Sequence, residues 1–340
     1  MEEQVFDEVN DYYNYLSIFS GFLSEPWVSL DTRNGQHEFA GVLWPLFLSE
    51  KYGAGIVRTI WENAVTVQSL EAMEQALTSR NSSLPEAFQE FTVWNAITGV
   101  RGNPALSYEE GASFPVASSV DSFSTFPASG PSIPSSRFPS HLAANYLQFT
   151  PDPLREGGLQ IDFDGITGQW GVSIIGINIT GPDTVITVPV SLTQSGTGVI
   201  TDWDRYDVIL LAVASLNLTG SNYQYQFTAT YDSSLVNRVI PPAVSVSNGP
   251  NPLYANDPHA RFQYALSSSG RVDLYIYNVL GQEVFSMTEP ILLAGFYTRL
   301  WDITDRSGRR VPSGIYIYRF SFTDLSGANT ILTQKMVLIE

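Results

Sequence analysis

The sequence predicts a multidomain α + all-β protein. It has a helical subdomain over residues 1–101, a β-sandwich over 141–243 and a second β-sandwich over 244–340. Residues 102–140 form a linker or extended segment. Three observations predict this. Apolar residues recur at helical spacing up to about Arg101. From about His141 the pattern changes to short alternating runs, punctuated by Gly, Pro and Asp at ~10-residue intervals. Between them, Phe114 to Pro139 is rich in Pro, Ser and Phe and has no period.

Within the helical region, Val5, Val9, Tyr12, Tyr13 and Leu16 share one helical face. Phe39 to Tyr52 is too long an apolar stretch for a strand and ends at Gly53, which suits a C-cap. Ile56, Val57, Ile60 and Trp61 mark the next helix, and Leu70, Met73 and Leu77 another. Ser83-Leu84-Pro85-Glu86 reads as a capping box, followed by Ala87, Phe88, Phe91 and Trp94 on a buried face. All these stripes read as core. The Phe residues of 114–139 are expected to anchor an extended segment to a surface. Strands are expected at Tyr146–Phe149, Leu159–Phe163, Gly171–Ile179, Thr184–Leu192, Val208–Ala214 and Tyr223–Tyr231. Further strands are expected at Ala260–Leu266, Val272–Asn278, Val284–Met287, Tyr297–Trp301, Ser313–Tyr318 and Thr330–Ile339.

Composition narrows the function. Hydrophobic residues make up 44% and charged residues 15% of 340, enough for real cores. A net charge of −17 repels phosphates and anionic membranes, which excludes nucleic acid as a partner. Without cysteine there is no disulfide, thiolate metal site or Cys nucleophile. No apolar run approaches the ~20 residues of a transmembrane helix. Met1-Glu2-Glu3-Gln4 is acidic where an export signal is basic and then apolar. The acidic, Ser/Thr/Asn-rich surface suits an extracytoplasmic space.

The last ninety or so residues carry specific motifs. They run from Pro250-Asn251-Pro252 through Gly270 to Ile276-Tyr277-Asn278-Val279-Leu280-Gly281. Gly295-Phe296-Tyr297, Trp301-Asp302 and Gly308 follow, then Ser313-Gly314-Ile315-Tyr316 and Lys335-Met336-Val337. In order and spacing this resembles the C-terminal sorting domain of type IX secretion cargo, which overlaps with the immunoglobulin-like domain of the flagellar hook-cap protein. Leu253 stands where that family usually has Phe, and Ile303 where it usually has Gly. The resemblance implies an immunoglobulin-like sandwich, the type IX machinery or the outer-membrane surface as partner, and an extracellular or cell-surface location. From the residues alone, Gly281 is expected to take positive φ, Trp301 to fill the core and Asp302 to cap a turn.

The helical region carries a second resemblance. Met1 to Tyr13, Leu48-Ser49-Glu50-Lys51-Tyr52-Gly53, Ile60-Trp61-Glu62, Phe88-Gln89-Glu90-Phe91 and Trp94-Asn95 are similar to the post-active-site helices of a secreted gluzincin-type zinc metallopeptidase family of myxobacterial type. The alignment places the HExxH helix and the third zinc ligand upstream of Met1. Zinc is then expected only in a longer form, this chain is expected not to hydrolyse peptides, and its helices are expected to expose apolar surface. The three histidines agree with that reading. His37-Glu38 is followed by Gly41 where a second ligand would stand, and His141 and His259 lie in unrelated segments.

Other site candidates are weaker. Asp162 and Asp164 share a strand face. Asp202, Asp204 and Asp207 cluster around Trp203 and Tyr206 and are candidate calcium ligands, with turn-capping as the plainer reading. Two other functions fit the same sequence. One is an extracellular binding protein whose middle sandwich presents Trp170, Trp203, Tyr206, Tyr223 and Tyr225 to a polysaccharide or a protein. The other is a structural or adhesion protein built of sandwich spacers.

Overall fold

A computed structural model describes residues 13–16, 21–153, 155–179, 181–254 and 257–339. The chain forms two compact units, Met1–Val236 and Asn237–Glu340.

The first unit has a helical layer and two sheets. The helices are α1 (Tyr13–Leu16), α2 (His37–Ala40), α3 (Leu43–Tyr52), α4 (Gly55–Asn63), α5 (Ser69–Thr78) and α6 (Leu84–Ala96). The strands are β1 (Asp121–Phe123), β2 (Ala128–Gly130), β3 (Ala143–Phe149), β4 (Gly158–Gly165), β5 (Trp170–Ile177), β6 (Thr184–Val188), β7 (Ser195–Ile200), β8 (Val208–Ser215) and β9 (Tyr225–Asp232). They build a five-stranded sheet of order β1-β3-β8-β5-β6 and a four-stranded sheet of order β2-β9-β4-β7.

Two cores share the five-stranded sheet. One face packs on the helices, with Tyr146, Ile175, Leu210 and Ala212 against Phe47, Phe88 and Phe91. The other face meets the second sheet, with Phe149, Ile174, Leu211 and Val213 against Ile161, Phe163 and Phe227. Every residue of β5 and β8 is therefore buried. That is why Val208-Ile209-Leu210-Leu211-Ala212-Val213-Ala214 is a continuous apolar run rather than an alternating one. Helix α6 seats closely on this sheet. Gln89 Nε2 donates to Val172 O at 3.1 Å and to Ser173 Oγ at 3.2 Å. A Cβ at Gly171 would stand 2.8 Å from the Gln89 side chain, so a larger residue there would have to displace that side chain.

Local signals mostly act as expected. Gly53 ends α3 at φ +88°. Ser83 accepts from the Glu86 amide, while its hydroxyl donates to Glu86 Oε2, so the two side chains bond each other. The long apolar stretch is broken at Gly41 into α2 and α3. Phe123 and Phe126 anchor the 102–140 segment, edge-on to Phe227 and Trp203 respectively. This segment also supplies β1 and β2, one to each sheet. Trp61 is a correction. It is 69% exposed, because α4 buries only Ile56 and turns its other face outward. Val65 and Phe39 are exposed on the same layer. Residues 1–12, including Val5 and Val9, lie outside the described residues.

The second unit is a β-sandwich. Its strands are β10 (Ser245–Gly249), β11 (Leu253–Tyr254), β12 (Ala260–Leu266), β13 (Gly270–Asn278), β14 (Glu283–Leu292), β15 (Gly295–Trp301), β16 (Gly314–Asp324) and β17 (Asn329–Ile339). A three-stranded sheet of order β10-β12-β15 faces a five-stranded sheet of order β11-β17-β16-β13-β14. Alternation is clean here: Tyr316, Tyr318, Phe320 and Phe322 point inward from β16 onto Phe262, Tyr264 and Trp301.

The double burial yields a prediction. Phe91 packs on Phe22, Trp44 and Phe47 with no exposure. Phe91→Ala is expected to cost the first unit about 3–5 kcal/mol in urea unfolding followed by tryptophan fluorescence.

Candidate functional site

The motif residues of the second unit come together through the last strand. Asn251, between Pro250 and Pro252, uses its side-chain amide as a peptide group. Nδ2 donates to Lys335 O, and Oδ1 accepts from the Val337 amide, both at 3.1 Å. The parallel pairing of β11 with β17 then continues at Leu253↔Leu338 and Tyr254↔Ile339. Leu253 and Met336 are fully buried, and Lys335 is exposed. Gln334 adds a second tie, donating to Val246 O and accepting from the Tyr318 hydroxyl.

Trp301 is 1% exposed, packs edge-on to Tyr316 and donates from Nε1 to Thr304 O at 2.9 Å. Asp302 accepts from Thr304 Oγ1 at 2.6 Å. Ile303 is fully buried at φ +61°. A β-branched residue is strained there, which gives a physical reason for a glycine preference at this position. Gly270 opens β13 opposite Asp324, and Ser313 and Gly314 lead into β16, whose Tyr316 donates to Pro312 O.

Three loops of this unit repeat one geometry. In each, an Asn or Asp amide pairs with the carbonyl four residues on, and a glycine three residues on sits at positive φ. The carboxamide or carboxylate Oδ1 accepts from the amides at positions two and four. The first is Asn278 with Leu280, Gly281 (φ +77°) and Gln282. The second is Asp305 with Ser307, Gly308 (φ +76°) and Arg309. The third is Asp324 with Ser326, Gly327 (φ +88°) and Ala328. Hydrogen bonds from Ser307 and Ser326, first, and from loop amides hold both aspartates below the usual carboxylate range. The family-type motif ending Asn278-Val279-Leu280-Gly281 is thus a locked hairpin turn, with Val279 and Leu280 exposed at its tip.

The remaining candidates do not assemble. Among the described residues, no group of three or more His, Asp or Glu side chains could hold a metal ion. Asp202, Asp204 and Asp207 do not form such a group. Asp202 occupies a left-handed turn, and Asp207 Oδ2 is taken up by the Ile179 amide at 2.7 Å. His37 is buried edge-on to Phe22, and Glu38 caps the Asn34 and Gly35 amides. His141 bonds Gly220 O and Asp31, and His259 is exposed in the second unit. Asp162 is held by Gln160 and Thr197, and Asp164 by Ser195 and Gln226. Of the proposed binding aromatics, Trp170, Trp203, Tyr206 and Tyr225 are buried and Tyr223 half-buried, so they form core rather than a platform.

No family model matches the chain, and no curated protein does. Among solved structures it is similar to FlgD of Xanthomonas campestris, at 27% identity over 28% of this chain and 65% of that one, with a TM-score of 0.21. FlgD of P. aeruginosa shares 19% identity over 30% of this chain and 76% of its own, with a TM-score of 0.23. Dimeric latent PorU of Porphyromonas gingivalis shares 19% over 52% of this chain and 16% of its own, with a TM-score of 0.24.

The loops predict an acid response. A carboxylate with a depressed folded pKa stabilises above its unfolded value of about 3.9, and that contribution is lost as pH falls through the folded pKa. Asp305→Asn with Asp324→Asn keeps the acceptor, as Asn278 does naturally. The double variant is expected to flatten the loss of urea stability below about pH 4. Gly281→Ala meets no neighbour within 4 Å. Its expected cost of about 1–2 kcal/mol in urea unfolding is backbone strain alone.

Proposed function

We propose that this chain is a bacterial protein of the cell exterior whose second unit is a type IX secretion sorting module. In this reading the first unit corresponds to the C-terminal part of a zinc-peptidase-like protein without its metal site. The observation that carries the proposal is the junction of Pro250-Asn251-Pro252 with Lys335-Met336-Val337. The two outermost motifs of the resemblance, far apart in sequence, meet through two hydrogen bonds of one side chain. The other motif residues hold the same sandwich: Trp301 and Tyr316 in the core, Asn278 and Gly281 in a locked turn.

Two measurements test this. The full chain, given a cleavable export signal and produced in a bacterium with a type IX system, is expected on the cell surface or in the medium. The same chain ending before residue 245 is expected to remain in the periplasm. Equal release of both forms contradicts the sorting role. For the peptidase relationship, a version extended upstream at the DNA level is expected to bind zinc and cleave peptides where this chain does neither. An extended form without zinc removes that part.

A further inference from the structure

The outer face of the five-stranded sheet in the second unit carries residues that neither the core nor the loops employ. On β13, the rings of Tyr275 and Tyr277 lie side by side, with centroids 6.4 Å apart and planes 23° from parallel. Across the ladder, Tyr275 is paired with Arg319 and Tyr277 with Ile317, and Ile317 is paired in turn with Lys335. Leu274, Ile276, Tyr318 and Met336 fill the core, so these intervening positions face outward. Opposed residues on one sheet face stand about 4.5–5.5 Å apart at Cβ, which puts Arg319 beside Tyr275, while Lys335 stands one strand further out, across Ile317 from Tyr277.

Arg319 and Lys335 are exposed. Among the described residues, neither side chain makes an ion pair or hydrogen bond. Arg271, Arg299 and Arg306 of the same unit, by contrast, each hold a carboxylate. The chain has 34 acidic residues against 17 basic. Nine of the basic and eight of the acidic residues lie from Asn237 onward, so this unit is close to neutral while the first carries the negative charge. The carboxylates on this face, Asp273 and the Glu283 opposite Tyr277, are taken up by Arg271 and Arg306, which leaves Arg319 and Lys335 as two neighbouring cations of charge complementary to an external anion.

The flanking aromatic pair says what kind of anion. Flat, half-buried rings in a row offer apolar faces to the C–H faces of pyranose rings. A guanidinium beside the rings and an ammonium one strand further out suit carboxylates spaced along such a chain. Thr333 beside Arg319 and Ser321 beside Asp273 add hydroxyls at the margin. We propose that this face binds an acidic polysaccharide, with sugar rings over Tyr275 and Tyr277 and uronate groups at Arg319 and Lys335. The proposal does not rest on the sorting role. Binding is read on purified protein and export in cells, so either can fail alone.

The test is affinity electrophoresis of the full chain through native gels containing polygalacturonate, dextran or polyglutamate. Polygalacturonate is expected to retard the protein in a salt-sensitive way, and the other two are not. Tyr275→Ala and Tyr277→Ala are each expected to weaken binding about tenfold. Arg319→Gln with Lys335→Gln leaves the aromatic pair in place and is expected to weaken it at least as much. Thermal unfolding checks that both sets of variants are folded. Three results would overturn the proposal: no retardation by polygalacturonate, equal retardation by polyglutamate or dextran, or retardation unchanged in the folded variants.

Discussion

The second unit depends on one side chain behaving as backbone. A strand at the edge of a sheet leaves amides and carbonyls without partners, and these must be satisfied or covered. At Lys335 and Val337, the edge of β17 away from β16 is covered by the Asn251 carboxamide, which has the donor and the acceptor of a peptide group. An aspartate would lack the donor and a leucine both groups. Proline on either side removes backbone donors that would otherwise compete. From there β11 runs two residues in register and buries Leu253 against the core. The first and last motifs of the unit are thus two halves of one hydrogen-bonded joint.

The first unit is organised by a different constraint. Its central strands β5 and β8 are sealed on one side by helices and on the other by the second sheet. A strand in that position has no outward residue, so its sequence loses alternation and gains small residues where helices come close. Gly171 under Gln89 is the clearest case. The aromatic residues follow from the same burial. Trp203 fills the sandwich end, bonded through Nε1 to Arg155 O, and Tyr225 bonds Asn145 from within the core.

Strands with one wet face were legible in the sequence. β13 and β16 alternate in burial, and the Asn278–Gly281 turn followed from its residue types. Where one property served two environments, legibility failed. β7, Ser195-Gly196-Thr197-Gly198-Val199-Ile200, has little apolar character because its glycines lie close to Val188 and Ile174. β2 is Ala128-Ser129-Gly130, too short and polar to show a period. Trp61 has helical spacing with Val57, yet spacing cannot tell which side a neighbour covers. Asp202, Asp204 and Asp207 are close in sequence, but a left-handed turn and a capped amide separate their roles. The Asn251 joint links positions 84 and 86 residues apart, beyond any local pattern. Tyr275 and Tyr277 were visible as a strand pair, but their cationic neighbours come from two other strands.

The sorting-type motifs therefore have a physical content that precedes any role in export: they close a sandwich whose last strand is held by its first loop. Hydrogen–deuterium exchange on the full chain, native against Asn251→Ala, tests this most directly. Faster exchange is predicted in peptides covering 251–254 and 335–339, with the β13–β14 hairpin unchanged. Unaltered protection of 335–339 in the variant would contradict the account, because the last strand would then be held by something other than Asn251.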